Sequence, residues 1–382
     1  MTFRKTLAVT TALSAVALLA ANAASAAEAP KVKIGGYQDT FFGVGDVTAN
    51  TTASGTPIFS SSQTNNGDAT ILAYGEMKFE AEGTTDSGMK YGVYFELSID
   101  DGARNSNTTT KYATGKYGAD EANVWLSGSW GKLEIGNQDG AADKMAVGGT
   151  EVDMLGGNIL GAFFQVNATT GSKLRGTDYT NVGEGADNTK VTYYTPRISG
   201  FQAGLSYAPR YKAQGTQPNA DDGINGSGTT GNYEAGIGWQ GKVGDAKVEV
   251  VGVASSFLEE AAPTVGHGHG IGGSVEMNNI TVAAGYARNK NWRAANNKTN
   301  AYDAGIGYNG GKWQVALYYL TAEGEKTGQA IDDKFNEISL QAGYNFGGGL
   351  TGAVGLYDFE IKEQGVKKND GQGLIAKLTA KF

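Results

Sequence analysis

The chain of 382 residues contains no cysteine, and His267 and His269 are its only histidines. It therefore forms no disulfide, has no thiolate nucleophile or ligand, and is excluded from most histidine-dependent catalysis. A G-x-S-x-G segment, which would present a serine nucleophile on a sharp turn, is also absent. The sequence therefore predicts a protein that is not an enzyme and that uses no cofactor and no metal.

Proline and long apolar runs are scarce as well. The chain has 6 prolines against 59 glycines and 19 tyrosines, a composition typical of many short strands and tight turns. Beyond the N-terminal segment, no run of 18 or more apolar residues occurs, so no transmembrane helix is expected. Strands that expose every second residue to lipid need no such run.

The N-terminal segment has the pattern of a secretory signal. Arg4 and Lys5 precede an apolar stretch at 7–21, and Ala24-Ser25-Ala26 offers a small-x-small cleavage site. We expect a cleaved signal peptide at residues 1–26 and a mature chain at 27–382. Loss of the two cations takes the net charge from −8 to about −10, which makes a nucleic-acid partner unlikely in an exported chain without basic clusters.

Alternating apolar and polar residues dominate the mature chain. Between 70 and 82 the residues Ile71, Ala73, Met77 and Phe79 share one face, and Glu76 and Lys78 lie on the other. The same pattern predicts strands near 32–44, 70–82, 89–100, 119–127, 131–138, 189–196, 200–210, 231–241, 245–256, 268–276, 279–289, 300–309, 312–322, 334–346, 350–361 and 372–382. Sixteen is an even number, as a closed antiparallel transmembrane β-barrel requires.

The connections between these strands alternate in length. Short turns such as 309–311 and 347–349 alternate with longer polar loops, the last four at 257–267, 290–299, 323–333 and 362–371. This sorting is typical of a transmembrane barrel with one rim of turns and one rim of loops. A soluble β-sandwich has no reason to sort its loops in this way.

One stretch, from about Asn137 to Asn188, interrupts the alternation. A structureless run of this length is unusual in a compact domain unless it has a function. We expect it to fold back into the lumen as a loop, at about 138–188, that narrows a water-filled pore. Its first part carries acids that we predict at the constriction, namely Asp139, Asp143, Glu151 and Asp153.

Three short segments resemble the general diffusion porins of Gram-negative outer membranes. Residues 121–137, which run through the turn Gly128-Ser129-Trp130-Gly131, resemble one strand-turn-strand segment of that family. Residues 190–201, with Pro196-Arg197 in the turn, are similar to another, and the terminal Phe382 resembles the family's assembly signal. The resemblance covers nearly the whole mature chain.

The resemblance implies a sixteen-stranded barrel in the outer membrane, usually a homotrimer, with the loop after the fifth strand folded inside. It also implies contact with outer-membrane lipid and lipopolysaccharide, recognition of Phe382 by the barrel insertion machinery, and passive passage of small hydrophilic solutes. In the family, arginines face the loop acids across the pore. Their positions fall here near Glu76 and Asn123. Basic candidates for the pore lining are instead Lys78, Lys90, Arg175 and Lys190.

This departure from the family pattern favours a mild preference for cations, since a pore lined by one charge concentrates the opposite charge. Two alternatives stay open: a substrate-specific channel of the sugar type, and a barrel that serves mainly as an adhesin or phage receptor. Two short segments carry potential metal ligands. They are Gly266-His267-Gly268-His269-Gly270, expected in an outer loop, and Asp221–Gly226; neither has a complete ligand set in sequence.

Overall fold

The computed structural model describes residues 28–49, 69–100, 119–156, 182, 188–210, 229–259, 264–291, 297–326, 333–363 and 366–382. The expected signal peptide, Arg175 and residues 221–226 lie outside these ranges, and the predictions made for them stay predictions. No helix within the described part of the chain is long and apolar enough to cross a membrane.

Sixteen antiparallel strands close into one barrel, in which each strand pairs with its neighbours in sequence and β1 also pairs with β16. The sixteen predicted strands and the closed barrel are confirmed. The strands are β1 (Glu28–Ala49), β2 (Thr70–Thr84), β3 (Lys90–Asp100), β4 (Ala119–Gly128), β5 (Gly131–Asn137), β6 (Thr189–Tyr194), β7 (Phe201–Arg210), β8 (Thr229–Val243), β9 (Ala246–Glu259), β10 (Thr264–Met277), β11 (Ile280–Lys290), β12 (Asn297–Asn309), β13 (Trp313–Lys326), β14 (Asp333–Gly347), β15 (Leu350–Glu363) and β16 (Val366–Lys381).

The alternation in sequence corresponds to the two faces of the wall. On β14, Phe335, Glu337 and Ser339 are buried on the lumen side, whereas Ile338 and Leu340 are exposed on the outside. Successive strand side chains point to opposite faces, so one wall can be apolar towards lipid and polar towards the lumen. The exposed large apolar residues of the barrel are therefore the surface expected to face the membrane.

The two rims differ in the length of their connections, as predicted. At the turn end, β8 and β9 are joined across Gly244-Asp245, and β14 and β15 across Gly348-Gly349. Four loops at the opposite end, the loop end, are shorter than the sequence predicted, because β9–β16 continue further. At the loop end of β14 and β15 the pattern is reversed: Phe335 and Ile361 are buried on the lumen face, whereas Lys334 and Lys362 lie on the outer face. The backbone pairing continues through these residues.

This extension also corrects the expected position of the two histidines. His267 and His269 lie on β10 and not in an outer loop, and both side chains are exposed on the outer wall. The backbone of Phe382 is paired with β1 as part of the barrel wall. The backbone N–H of Phe382 donates to the carbonyl of Gly36, and the N–H of Gly36 donates to the carbonyl of Phe382, each at 3.1 Å.

Candidate functional site

The described part of the internal loop, residues 138–156, lies inside the barrel against the inner wall. It leaves β5 at Gln138, forms the single helical turn α1 (Ala141–Lys144), and continues through a 3₁₀ turn at Gly149–Val152. The helical turn packs against β6–β9, and the 3₁₀ turn packs against β11–β13. This part of the loop therefore follows the inner wall around the barrel.

The first attachment of the loop is a buried carboxylate on β8. Oε2 of Glu234 accepts a hydrogen bond from the backbone N–H of Ala142 at 3.2 Å, and Oε1 lies 3.5 Å from Nζ of Lys190. Ser206 Oγ accepts from the N–H of Ala141 at 2.7 Å. Because an amide of α1 and a buried ammonium share one carboxylate, removing that carboxylate would take an acceptor from both.

Glycines on the inner wall make room for the loop. A methyl group at Gly272 would lie 1.6 Å from the carbonyl oxygen of Val147, and one at Gly305 would lie 2.3 Å from Val152. Contacts of this kind recur on β7, β8, β10, β11, β12, β14 and β15, where the lumen-facing glycines are Gly204, Gly236, Gly272, Gly285, Gly305, Gly307, Gly343 and Gly355. We name these eight residues the glycine track. Without side chains along this path, the loop backbone approaches the wall closely.

The second attachment lies on β14. The side-chain carbonyl of Gln341 accepts from the backbone N–H of Met154 at 2.8 Å, and its amide donates to Oδ1 of Asp153, also at 2.8 Å. The amide also donates to Ser339 Oγ at 3.0 Å. One glutamine therefore holds both the backbone and a side chain of the loop.

Beyond this attachment the lumen side of the wall is apolar. Leu155 packs into a buried cluster on β12–β16 and β1, in which Phe335 and Ile375 are 0% exposed. The cluster contains Phe41, Leu155, Ala301, Tyr318, Leu320, Ala322, Phe335, Tyr357, Phe359, Ile361 and Ile375. Ile375, an apolar residue on the otherwise polar inner face of β16, belongs to this contact. Where Leu155 packs, the wall is thus a packed core and not a pore lining.

The wall formed by β2 and β3 carries charged side chains instead. Nζ of Lys78 lies 3.0 Å from both Glu76 and Glu96. The hydroxyl of Tyr74 donates to Glu76, and that of Tyr94 donates to Glu96 at 2.5 Å. One ammonium is therefore shared by two carboxylates at the position where the family resemblance implies arginine.

A second shared lysine connects the loop to β4 and β5. Nζ of Lys144, on α1, lies 3.7 Å from Glu121 and 3.6 Å from Glu134. Lys132 lies 2.7 Å from Glu134 and extends from the same strand. Two carboxylates and two ammonium groups therefore meet here, and their charges balance.

The carboxylates of Glu76, Glu96 and Asp120 approach one another closely enough to hold a metal ion. However, the ammonium of Lys78 lies between Glu76 and Glu96 and already supplies a positive charge there. Ser98 donates to Asp120 at 2.7 Å. The cluster is therefore satisfied by groups of the chain itself.

The four predicted loop acids occupy different environments. The backbone N–H of Asp139 donates to Glu121 at 3.2 Å, and Asp143 lies in α1. Asp153 is engaged by Gln341, whereas Glu151 is exposed. Although the Glu151 side chain is accessible to solvent, the surrounding loop and wall partly desolvate its carboxyl, which raises the pKa, and the nearby carboxylate of Glu249 raises it further.

The predicted basic residues are also separated. Lys78 lies on the charged wall, but Lys90 lies at the turn-end start of β3. Lys190 is 1% exposed and pairs with Glu234 beneath the loop, so it does not line the open pore as predicted. The sequence could not show this burial, because the covering segment is remote in the chain.

Sequence reasoning also missed several lumen lysines, among them Lys377 on β16. A cavity of about 590 Å³ separates the loop from this part of the wall. Glu151 and Asp153 line its loop side, and Lys377 and Lys381 line the strand opposite. In the sequence of the last strand Lys377 and Lys381 alternate with apolar residues, which is the signal that could have identified them.

Comparisons with known proteins agree with this architecture. The sequence profile described as Gram-negative porin matches residues 10–364. An outer membrane porin protein of Bordetella pertussis is 25% identical over 292 residues, which cover 72% of this chain and 68% of the relative. A porin of Rhodobacter capsulatus is 28% identical over 182 residues, 46% of this chain; the chain spans about half the length of that relative, 51%.

Among solved structures, an anion-selective porin from Comamonas acidovorans has a TM-score of 0.61 with 19% identity. The match covers 93% of this chain and 100% of that porin. Similarity at this identity shows a shared fold. The profile match extends over most of the chain, and the porins are channels and not enzymes, which confirms the prediction of a non-enzymatic protein. The chain belongs to the Gram-negative porin family and is a protein of the outer membrane.

Proposed function

We propose that the protein is a passive diffusion channel for small hydrophilic solutes and ions with a mild preference for cations, and that the loop at 138–188 forms its constriction. The observation that supports the preference is the sharing of one lysine by two carboxylates on the charged wall. Lys78 serves both Glu76 and Glu96, and Asp120 lies close to them. Glu121 and Glu134 are matched in number by Lys144 and Lys132. The excess of carboxylates over ammonium groups around Lys78 leaves this part of the wall with negative charge.

The rest of the described lumen also contains more acids than lysines near the loop. Its acids near the loop are Asp39, Glu76, Glu96, Asp120, Glu121, Glu134, Asp139, Asp143, Glu151, Asp153, Glu234, Glu249, Asp303 and Glu337, and its lysines there are Lys78, Lys132, Lys144, Lys190, Lys377 and Lys381. A pore with this lining attracts cations into its narrow part. Salt screens the attraction, since the Debye length is about 8 Å at physiological ionic strength, so we expect the preference to be modest.

The sign of selectivity does not follow from the fold. The solved porin from Comamonas acidovorans is described as anion-selective, yet it has the same barrel architecture and is 19% identical in sequence. Selectivity must therefore come from the side chains that line the pore.

The experiment is single-channel recording in a planar bilayer, with the reversal potential measured across a salt gradient. We expect conductance to rise in steps, and we expect the reversal potential to have the sign that results when cations permeate the pore faster than anions. The double variant Glu76→Gln/Glu96→Gln should lower the cation preference. Glu360→Gln, which removes an acid that pairs with Lys362 on the outer wall, is the matched control and should leave it unchanged.

A reversal potential that favours anions in the unmodified protein would reject the proposed selectivity. Absence of conductance from folded protein would reject the channel itself and favour the receptor alternative.

We further propose, from the family resemblance, that the barrel is a homotrimer, that Phe382 is recognised by the insertion machinery, and that lipopolysaccharide surrounds the loop end. Counting conductance steps that occur in threes tests the first of these.

A further inference from the structure

Four basic side chains meet on the outer wall near the loop end. His267 and His269 on β10 and Arg288 and Lys290 on β11 all have exposed side chains. His267 lies directly opposite Lys290 in the strand register, and His269 lies directly opposite Arg288. Side chains paired in this way have Cβ atoms about 4.5–5.5 Å apart. The four residues therefore form one surface, the basic patch.

The basic patch differs from three other lysines on the same rim in having no acidic partner within the described residues. Each of three other lysines there is paired with a carboxylate: Lys298 with Glu325 at 2.7 Å, Lys334 with Glu323 at 2.5 Å, and Lys362 with Glu360 at 2.6 Å. Within the described ranges, neither Arg288 nor Lys290 forms an ion pair. Cations held close together without an acid do not stabilise a sheet, so the patch has no evident role in folding.

The position of the patch along the wall indicates what it faces. One register step towards the turn end, the rings of Tyr286 and Tyr302 lie 4.9 Å apart on the outer face. Below them the outer face is aliphatic, with Val282 and Ile306 both exposed. The order from rim to centre is therefore basic, aromatic and aliphatic.

This order matches the layers of a membrane leaflet. Tyrosine rings are favoured at the level of the lipid headgroups, and aliphatic side chains face the hydrocarbon. Long loops mark the outer side of such barrels. The basic patch therefore lies at the level of the headgroup phosphates of the outer leaflet.

We propose that the basic patch binds phosphate groups of outer-leaflet lipopolysaccharide. The guanidinium of Arg288 matches two phosphate oxygens with paired N–H donors, and Lys290 adds a point charge. Each imidazole offers an N–H donor beside one of these cations. The assignment rests on the proposed contact with lipopolysaccharide and is independent of the selectivity of the pore.

A metal ion is the competing ligand for two histidines at this spacing. Residues two apart on a strand share one face, so both imidazoles point in the same direction. Arg288 and Lys290 lie directly opposite them, however, and their charges repel a cation while they attract an anion. The surrounding charge therefore favours phosphate.

The test compares binding of a diphosphorylated lipid A to the full-length protein and to Arg288→Ala/Lys290→Ala in detergent, measured by native mass spectrometry. We expect at least a tenfold loss of affinity in the variant and a smaller loss in His267→Ala/His269→Ala. Lys334→Ala/Lys362→Ala removes two paired lysines from the same rim and is the control; its affinity should stay within twofold of the unmodified protein. If the alanine variant fails to fold, Arg288→Gln/Lys290→Gln takes its place.

Equal affinity of the unmodified protein and the patch variant would overturn the assignment. So would equal binding of dephosphorylated lipid A, or saturation of the patch by inorganic phosphate alone at the concentration at which the lipid binds. Conductance of the patch variant should equal that of the unmodified protein. A change in conductance without a change in lipid affinity would also overturn the assignment, and it would not bear on the proposed channel.

Discussion

The two halves of the lumen face the same space but are built differently. On β7–β15 the inner wall has the glycine track, the buried acceptor Glu234 and an apolar cluster, all in contact with the loop. On β2–β5 the inner wall has charged side chains joined by shared lysines. The comparison shows that the described loop packs closely where the inner wall offers glycines and apolar side chains, and meets β4 and β5 through charged groups.

The largest expected effect comes from the first loop attachment. Glu234→Ala would leave the buried ammonium of Lys190 and the amide of Ala142 without their carboxylate. Breaking a buried pair in this way costs about 3–5 kcal/mol of folding stability. We expect a lower temperature for conversion of the folded to the unfolded form on a semi-native gel.

The matched control is Glu323→Ala, which removes an exposed acid that pairs with Lys334 on the outer wall. Surface pairs contribute about 0–1 kcal/mol, so this variant should unfold close to the unmodified protein. Equal unfolding temperatures for the two variants would show that Glu234 does not hold the loop.

The glycine track gives the next largest effect. Gly272→Ala would place a methyl group against the carbonyl of Val147 and force the loop away from the wall. Overpacking of this kind costs about 1–3 kcal/mol, and the displaced loop should narrow the lumen and lower single-channel conductance. Gly252→Ala is the control, because the nearest atom to its methyl group would be 3.9 Å away. Unchanged conductance in Gly272→Ala would contradict the role of the track.

Substitutions of the charged side chains on β2 and β3 leave the contacts between the loop and the inner wall of β7–β15 in place. Lys78→Met removes the ammonium shared by Glu76 and Glu96 and should increase the cation preference, opposite in sign to neutralising the two acids. The shift in reversal potential should be largest at low salt, since the Debye length falls from about 30 Å at 0.01 M to about 3 Å at 1 M. A shift independent of salt would indicate a steric change.

The smallest effect concerns pH. The pKa of Glu151 is raised above its ordinary value of 4.5 by partial burial and by Glu249. As the pH falls, Glu151 takes up a proton earlier than an ordinary glutamate, and one negative charge is lost from the loop. The cation preference should therefore begin to weaken above pH 4.5, and Glu151→Gln should abolish this early step. An identical pH profile in the variant would show that Glu151 does not influence the pore.

Much of the fold was predictable, because period-two alternation records which side of a wall meets lipid. The boundaries were less so: β10 begins at Thr264 and not near residue 268, because its backbone pairing with β9 continues beyond the segment with clear alternation. The loop at 138–156 was recognised by its lack of alternation. Its path along the wall was not predictable, although the lumen-facing glycines mark that path in retrospect.

The candidate site was predicted in outline only. Lys78 lies on the inner face with Glu76 and Glu96, but the burial of Lys190 and the contribution of Lys144 depend on where the loop folds. Lys377 was on the polar face of the last strand, yet its position opposite Glu151 requires the barrel to close.

The sequence by itself determined the strand count, the inner and outer faces of each strand, and the excess of acids, because these depend on local residue order and composition. Only the tertiary structure decided which inner side chains are covered and which face the pore. Such pairings join residues as far apart as Asp153 and Gln341, whose contact spans 188 positions of the chain. No local pattern records them, since closure of the barrel and the return of the loop set those distances.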